Sequence, residues 1–206
     1  MPMVGAVRLR PVKDWHLVIR IGFCRDAELA KLMGVREFDP HLTVDDLRCW
    51  RTSRLEAGDT LLAIEVGDRY VGDIDVAVDR RHGSADLTLM IGDRRLRGRG
   101  VGTEVVRRVL GWLFRGDQLL VETATAPPGR MERDPGPKPE PPPTGHPFDY
   151  VEVDVARGNT RAHGFWLKQG FSPWSTGLDG TERLRLTRDR WLAAHPAPKE
   201  PRATRL

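Results

Sequence analysis

The most prominent chemistry in the sequence is a short turn rich in glycine and arginine. The stretch RLRGRGVGTE, residues 95–104, interleaves glycines with arginines and runs directly into an apolar segment with helical spacing. The first turn of a helix has unpaired N–H groups and a partial positive charge, and glycines allow a ligand to approach them closely. The stretch therefore predicts an anion-binding turn, with a phosphate group, an RNA strand or no ligand at all as the alternatives.

Two well-known phosphate loops do not match this turn. A nucleoside-triphosphate loop requires Gly-Lys-Ser/Thr, whereas Gly102 is followed by Thr103 and Glu104. A dinucleotide loop requires GxGxxG, whereas Gly98, Gly100 and Gly102 have the spacing GxGxG. RNA-binding arginine–glycine tracts are usually repeated and accompanied by aromatic residues, and this turn is single. The pattern argues against nucleic-acid binding and leaves a basic turn that only caps a helix as the alternative to an anion site.

The segments before the turn must position it, and their patterns predict both strands and helices. Residues 6–12 alternate as a first strand, and residues 14–34 form two helical pieces with Asp14 as the first N-cap. A third helix begins at Thr43, whose hydroxyl can cap it. Three strand-like runs follow, separated by turn sequences, and we expect them to form an antiparallel meander: 60–66, 70–78 and 85–92.

Beyond the turn, the predicted elements alternate between helix and strand. An apolar helix follows at once, residues 148–155 form a strand, and the next helix runs from an N-cap at Asn159 to Gly170. A final strand then leads into a helical turn. The strand after the apolar helix can return parallel to the strand before the turn. The sequence predicts a mixed α/β fold in a single domain, residues 1–195.

Two segments depart from this pattern. Residues 126–147 contain so many prolines that neither a helix nor a central strand can form there, and we expect an exposed insertion. A proline-rich ligand for a partner domain is the alternative interpretation of that segment. Residues 196–206 are expected to form a flexible C-terminal tail.

Composition excludes several classes of protein. The chain has 206 residues, of which 39% are hydrophobic and 30% charged, as is typical of a soluble globular protein. No segment approaches the roughly 20 apolar residues of a membrane span, and no signal peptide is recognisable. The net charge of +4 indicates an attraction to anions without specifying which. Cys24 and Cys49 lack metal-like spacing, so we expect reduced thiols, no metal site and a cytoplasmic protein.

The glycine turn also carries a family resemblance. RGRGVG, residues 97–102, fits the pattern Arg/Gln-x-x-Gly-x-Gly/Ala, and here the sequence resembles the GNAT superfamily of acyl-CoA-dependent N-acetyltransferases. A second match follows in order, since Asn159, Ala162 and the pair Gly170–Phe171 resemble that family's Asn-x-x-Ala helix and its closing Gly-Phe. The pattern is nearest to the branch that holds ribosomal-protein N-terminal acetyltransferases and small-molecule, aminoglycoside-type acetyltransferases.

The resemblance implies a fold and a cosubstrate. The fold would be a central twisted, mostly antiparallel sheet with a splayed parallel pair, flanked by helices. The cosubstrate would be acetyl-CoA, with its pyrophosphate on the backbone N–H groups of residues 97–103. Its pantetheine arm would pair with the strand before the turn, around Met90 and Ile91, and enter a notch where that strand splays from the next parallel strand, near residues 153–155. The residues implied to bind the cofactor are Met90, Ile91, Arg97, Gly98, Arg99, Gly100, Val101, Gly102, Thr103, Asn159 and Trp166.

Asn159 and Trp166 each have a structural interpretation beside the cofactor-binding one. Asn159 can cap its helix, contact the pantetheine arm, or do both. Trp166 lies seven residues later, within about 20° of the same helical direction, so it points toward the same face or simply packs. Relatives often carry tyrosine there, whose hydroxyl can protonate the departing thiolate, whereas tryptophan cannot serve as a useful general acid. Water or another group would then protonate CoA, or the thiolate would leave unaided.

Three acids are candidates for removing the proton from an acceptor amine, which is mostly protonated at neutral pH. In order of preference they are Asp154, Asp86 and Glu152. The resemblance puts Asp154 and Asp86 where relatives carry an acid, and period-two alternation puts Glu152 on the same strand face as Asp154. For each of them, a surface or salt-bridged carboxylate is the alternative interpretation.

The expected reaction is transfer of an acetyl group from acetyl-CoA to a primary amine of a small molecule, by direct attack in a ternary complex within a monomer or homodimer. A peptide N-terminus is the competing acceptor, and a catalytically weak acyl-CoA sensor is the competing function. Asp39, Asp45 and Asp46 can attract a cationic acceptor such as an aminoglycoside, which would imply antibiotic resistance, or a polyamine. They can equally be ordinary capping charges.

Overall fold

One sheet of seven strands organises the part of the chain that the computed structural model describes, residues 6–34, 39–119, 121–122, 148–178 and 180–196. In chain order the strands are β1 (Val7–Pro11), β2 (Thr60–Val66), β3 (Arg69–Asp79), β4 (Ser84–Ile91), β5 (Tyr150–Val155), β6 (Ser172–Thr176) and β7 (Glu182–Thr187). The helices are α1 (Asp14–Cys24), α2 (Ala27–Leu32), α3 (Val44–Glu56), α4 (Val101–Arg115), α5 (Thr160–Lys168) and α6 (Arg188–Ala194), with a 3-10 turn at Arg94–Leu96.

The sheet is antiparallel except at one place. The spatial order is β1-β2-β3-β4-β5-β7-β6, and among these seven described strands β4 and β5 are the one pair that runs parallel. Their pairing begins at Ser84 with Tyr150 and ends at Asp86 with Glu152, although β4 continues to Ile91. The two strands therefore diverge into a V, and the predicted mixed fold with a splayed parallel pair is confirmed.

Each face of the sheet carries a layer of helices, because alternate side chains of the strands are apolar on both faces. On one face the apolar stripe of α4 buries Val105 and Leu113 in the main core together with Val151. On the other face α1 and α3 cover β2 and β3 and bury Leu17 and Leu47. The long α4 thus holds the glycine turn rigidly at the end of β4.

Two predicted N-caps have different outcomes. Thr43 caps α3 as predicted, since its Oγ1 accepts the N–H of Asp46 at 3.2 Å and its own N–H donates to that carboxylate at 2.8 Å. The prediction of Asp14 as an N-cap is wrong by one residue. Lys13 occupies the cap position of α1, because the ring Nδ1 of His16 accepts its N–H at 2.8 Å. Asp14 is instead the first residue of the helix, where its negative charge interacts favourably with the helix dipole.

Strand β6 is an element that the sequence pattern did not predict. It pairs with β7 at the edge of the sheet, and its register shifts between Pro173 and Ser175. Proline cannot donate a ladder hydrogen bond, so an edge position with a bulge is where it is tolerated. Trp174, between them, is 60% exposed, and this apolar residue on the solvent side removed the alternation that would mark a strand.

Other sequence predictions concern single residues or end segments. Cys24 and Cys49 are free thiols. Within the described ranges, no helix is long and apolar enough to cross a membrane, and no group of three His, Cys, Asp or Glu side chains is arranged to hold a metal ion. The insertion predicted at 126–147 and the tail after Pro196 lie outside the described residues, so both remain predictions.

Candidate active site

The glycine turn leaves the start of α4 open to a ligand. Gly100 is the N-cap residue of α4 and adopts φ 86°, a left-handed conformation that strains any residue with a Cβ. Gly98 has φ 72°, and residues 98–100 are exposed. Gly100 provides no side-chain cap, so the N–H groups of the first turn of α4 keep their donor capacity. This geometry suits an anion such as a phosphate.

Two of the predicted anion ligands have a more structural role. The N–H of Arg97 donates to Arg94 at 3.3 Å, and the N–H of Arg99 donates to Leu96 at the same distance. The guanidinium of Arg97 also turns inward, with its Nε donating to the carbonyl of Ile91 at 2.8 Å. The amides open to an anion are therefore those of Gly98 and residues 100–103, while Arg97 fastens the turn to the end of β4.

A basic side chain that the sequence analysis missed lies beside the same turn. Arg161, near the start of α5, has its Nη2 atom 3.6 Å from where a Cβ of Gly98 would stand. Burial, together with the charges of Arg94 and Arg161, lowers the pKa of Arg97. Gly102 packs closely under Phe165, since an added Cβ would lie 3.3 Å from its ring. Helix α5 thus brings positive charge to the turn.

The V between β4 and β5 presents two unpaired strand edges. Beyond Asp86, β4 pairs on one side only, with β3, and beyond Glu152, β5 pairs only with β7. The facing edges, residues 87–91 and 153–155, can donate and accept backbone hydrogen bonds with an extended ligand placed between them. Met90, on the β4 side, is buried at 3% exposure. The V opens toward the glycine turn, so one extended anion can occupy both.

Asn159 caps its helix as predicted. Its Oδ1 accepts the N–H of Ala162 at 3.0 Å, and its Nδ2 donates to the carbonyl of Leu32 at 2.7 Å. Both ends of the side-chain amide are therefore occupied, and they tie α5 to the end of α2. A contact between Asn159 and a cofactor remains a prediction.

Trp166 is a core residue. It is 5% exposed and makes edge contacts with Phe165 and Phe171, with ring centroids 4.9 Å and 5.1 Å away. The packing interpretation from the sequence accounts for all of these contacts. The predicted contact of Trp166 with a cofactor is not needed to explain its position and remains a prediction.

Two of the three candidate bases are bound to arginines of β7. Asp154 forms a two-pronged pair with Arg183, at 2.8 Å and 2.9 Å, and both carboxylate oxygens take part. Glu152 is 7% exposed and accepts hydrogen bonds from Arg185 at 2.7 Å and from Arg183 at 3.4 Å. Both carboxylates are therefore already occupied by guanidinium groups of the neighbouring strand.

Asp86 lies in a different environment. It stands on the last residue pair before the V opens, its side chain is exposed, and no other described residue forms a hydrogen bond or ion pair with it. Partial desolvation raises the pKa of its carboxyl. The positive charge of Arg183 lowers this pKa, and the negative charges of Glu152 and Asp154 raise it further. Among the three candidates, Asp86 is the one whose carboxylate has no hydrogen-bond or ion-pair partner among the described residues.

Strand β3 contributes two further acids to this face that the sequence analysis did not select. Asp73 is buried and accepts hydrogen bonds from Arg20 at 2.9 Å and from the hydroxyl of Tyr70 at 2.5 Å. Asp75 is buried and bound to Arg54. The signal was available in the sequence GDIDV, where two acids alternate with apolar residues inside a strand that should be buried on both faces.

The acids near the start of α3 have local partners. Asp46 accepts hydrogen bonds from Thr43, Asp45 pairs with Arg48 at 2.5 Å, and Asp39 accepts the N–H of His41 at 2.7 Å. These contacts match the interpretation of Asp39, Asp45 and Asp46 as capping charges.

The family of the chain follows from its sequence as a whole. The profile described as Acetyltransferase (GNAT) domain matches residues 6–172, which is most of the chain. The chain belongs to the GNAT acetyltransferase family. This GNAT protein is therefore an acyltransferase, and the resemblance carried by its two motifs is confirmed. A search of curated protein sequences found no match.

Solved structures with the same fold extend the comparison. A domain from Methanocaldococcus jannaschii has 16% identity and a TM-score of 0.66, covering 88% of this chain and 98% of its own. Spermidine N-acetyltransferase from Vibrio cholerae, solved with CoA and spermine, has 14% identity and a TM-score of 0.65. The alignment covers 90% of this chain and 98% of that enzyme. An aminoglycoside acetyltransferase solved with coenzyme A has 16% identity and a TM-score of 0.63. The alignment covers 91% of this chain and 98% of that enzyme. At such identities the likeness concerns the fold.

Proposed function

We propose that this GNAT protein transfers the acetyl group of acetyl-CoA to a primary amine of a small cationic molecule, by direct attack in a ternary complex. The observation that carries the proposal is the position of Asp86. Its carboxylate has no hydrogen-bond or ion-pair partner among the described residues, and it stands at the vertex of a V whose wide end leads to the glycine turn. Two structures of the same fold, a spermidine N-acetyltransferase solved with CoA and spermine and an aminoglycoside acetyltransferase solved with coenzyme A, support this class of reaction.

The donor would be held by backbone groups. The open amides of Gly98 and residues 100–103 would bind the pyrophosphate, with Arg161 as a further cation beside it. The edge of β4 near Met90 and Ile91 would pair with the pantetheine arm. These contacts are independent of the acyl acceptor, so they account for binding of the donor alone.

Asp86 would act as the base for the acceptor. An ammonium that reaches the vertex would lose one proton to Asp86, and the neutral nitrogen would attack the thioester carbon. The carbon–sulfur bond would break to release CoA thiolate, and the nitrogen would lose its second proton to solvent to leave the neutral amide. A thiol pKa near 8.5 lets that thiolate leave without a strong acid, so the buried Trp166 need not provide one. This assignment changes the order expected from the sequence, because Asp154 and Glu152 are occupied by Arg183 and Arg185.

The negative charge at the vertex favours a cationic small molecule as the acceptor. A peptide N-terminus is the alternative acceptor, and an acyl-CoA sensor is the alternative function. An amine panel with polyamines, aminoglycosides and short peptides, followed by release of free CoA, separates these cases. Turnover of a small cationic amine is expected, preference for peptides would favour the alternative acceptor, and tight binding of acetyl-CoA without any turnover would overturn the enzymatic proposal.

A further inference from the structure

A cavity of about 600 Å³ lies beside the residues that lead into the glycine turn. Its lining comes from one side of α1 and Asp26 just after it, from residues 68–70 at the turn between β2 and β3, and from residues 92–95 after the end of β4. Volumes of this size are typical of sites for small molecules. The side chains of the lining therefore indicate which class of molecule fits the cavity.

One wall of the cavity is largely aromatic. Trp15, Ile19 and Phe23 follow one another at every fourth position of α1, so they lie on one side of that helix, and each is only partly buried. The ring centroid of Phe23 is 5.8 Å from that of Tyr70. The Phe23 ring also rests on the backbone of Gly92, where an added Cβ would lie 2.2 Å from it. This wall can cover the face of a planar aromatic ligand.

The polar part of the lining has one positive charge in excess. Arg69 and Arg95 both bind the carboxylate of Asp93, and the Nη2 atoms of the two arginines lie 3.0 Å and 2.9 Å from the same Oδ2 atom. Among the described residues, neither arginine has a second acidic partner. A guanidinium has five N–H groups, so each of these exposed arginines keeps donors that the carboxylate does not use.

The other charges of the lining are matched by nearby partners. Arg94 binds both carboxylate oxygens of Asp26, at 2.9 Å and 2.8 Å, and it also pairs with Glu28 outside the cavity. Asp68 is highly exposed, where water screens its charge, and it pairs with Arg8 at 3.3 Å. The excess positive charge is therefore concentrated where two guanidinium groups share one carboxylate, and an anion is favoured there.

The cavity is separate from the vertex of the V. Gly92 follows Asp86 by six positions, which corresponds to about 20 Å along β4. The lining belongs to α1 and β3, whereas the open edge of β4 faces β5. A ligand in the cavity would instead contact Gly92, whose carbonyl accepts a hydrogen bond from Arg97 of the glycine turn at 3.0 Å.

We propose that this cavity binds an aromatic monocarboxylate, with its ring against Trp15 and Phe23 and its carboxylate on Arg69 and Arg95. The planar fork of a guanidinium matches the two oxygens of a carboxylate, and one negative charge equals the excess of the lining. The inference goes beyond the proposed function and does not depend on it, because none of these residues belongs to the vertex or to the open amides of the glycine turn.

The test measures the binding of 2-naphthoate by calorimetry, with three comparison compounds. The amide 2-naphthamide keeps the ring without the charge, cyclohexanecarboxylate keeps the charge without an aromatic ring, and 2-naphthylmethylamine reverses the charge. We expect 2-naphthoate to bind most tightly, with an affinity that falls as the salt concentration rises. Equal affinities for 2-naphthoate and 2-naphthamide, or no detectable binding of 2-naphthoate, would overturn the proposal.

Two variants should change the affinity for 2-naphthoate in opposite directions. Arg69→Gln removes one guanidinium and should weaken binding by about 3–10-fold. Asp93→Asn keeps the shape of the side chain but removes the competing carboxylate, so binding should become tighter. Arg107→Gln is the matched control, because Arg107 is also exposed and bound to one acid, Glu104 at 2.9 Å, but lies on α4. Weaker binding in Asp93→Asn, or unchanged binding in Arg69→Gln, would contradict the proposal.

A competition experiment separates the cavity from the donor site, because the adenosine end of CoA is itself aromatic and anionic. Titration of 2-naphthoate should give the same stoichiometry with and without saturating acetyl-CoA. Displacement of 2-naphthoate by acetyl-CoA would make the cavity part of the donor site and would overturn the inference. The readout is binding alone, so a failure of the proposed reaction with every amine would leave this result unaffected.

Discussion

At the scale of single residues, the partners of each carboxylate decide its role. Asp86, Glu152 and Asp154 lie near one another on parallel strands, but two of them are held by β7 arginines and one is not. The family resemblance singled out the first and last of these acids. The sequence analysis preferred Asp154, because it could not show that Arg183 and Arg185 occupy Asp154 and Glu152. Those contacts arise only from the register of β5 with β7.

Asp86→Asn tests the assignment of the base. An amide cannot take a proton, so kcat/KM for the amine should fall by about 10²–10⁴-fold at neutral pH, while KM for acetyl-CoA stays unchanged. In the wild type, activity should fall as the pH drops through the pKa of Asp86, which lies above the ordinary value for aspartate. Asp79→Asn is the control. A normal rate in Asp86→Asn would exclude this residue as the base.

Asp75 predicts a pH-dependent stability. Its pKa is about 6 in the folded protein against an ordinary 3.8, so the folded state holds this proton more tightly. The resulting stabilisation is present below a pH of about 4 and is lost as the pH rises through about 6. Because Asp75→Asn imitates the protonated form, its melting temperature relative to the wild type should increase from acidic to neutral pH. Thermal denaturation at several pH values checks this, and a constant or decreasing difference would contradict it.

At the scale of elements, the start of α4 is the feature that the sequence predicted best. Three closely spaced glycines before an apolar helix indicate an open N-terminus whatever the surrounding fold, because that property is local. Arg161 and the ion pairs that Arg54 of α3 forms with Asp59 and Asp75 could not be predicted in the same way. They depend on where α5 lies against the turn and on how far Arg54 reaches across the sheet, which are tertiary properties.

Gly100→Ala tests the anion-binding turn. A Cβ in the left-handed conformation costs about 1–2 kcal/mol and should displace the first-turn amides, raising KM for acetyl-CoA by about 5–30-fold. KM for the amine should change little. Gly116→Ala is the matched control, since Gly116 ends the same helix with φ 73° and has open space around it. Equal effects of the two variants on KM for acetyl-CoA would show that strain alone, and not the amides, is responsible.

At the scale of the whole molecule, the sheet connects the glycine turn proposed to bind the donor with Asp86, the proposed base for the acceptor. The order of strands and helices predicted that β5 runs parallel to β4, and the family resemblance predicted that these two strands diverge. Asp86 lies on the same face of the sheet as α1 and α3, whereas the glycine turn lies at the far end of the V. Donor and acceptor would therefore enter from different directions and meet at the vertex, as a ternary complex requires.

The measurement that tests the account most directly is product formation from acetyl-CoA and diaminobutane, followed by mass spectrometry together with free CoA release. Acetylated amine and free CoA are expected in a one-to-one ratio, with the rate abolished or strongly reduced in Asp86→Asn. Saturable binding of acetyl-CoA with no acetylated product from diaminobutane or any other amine would contradict the central claim.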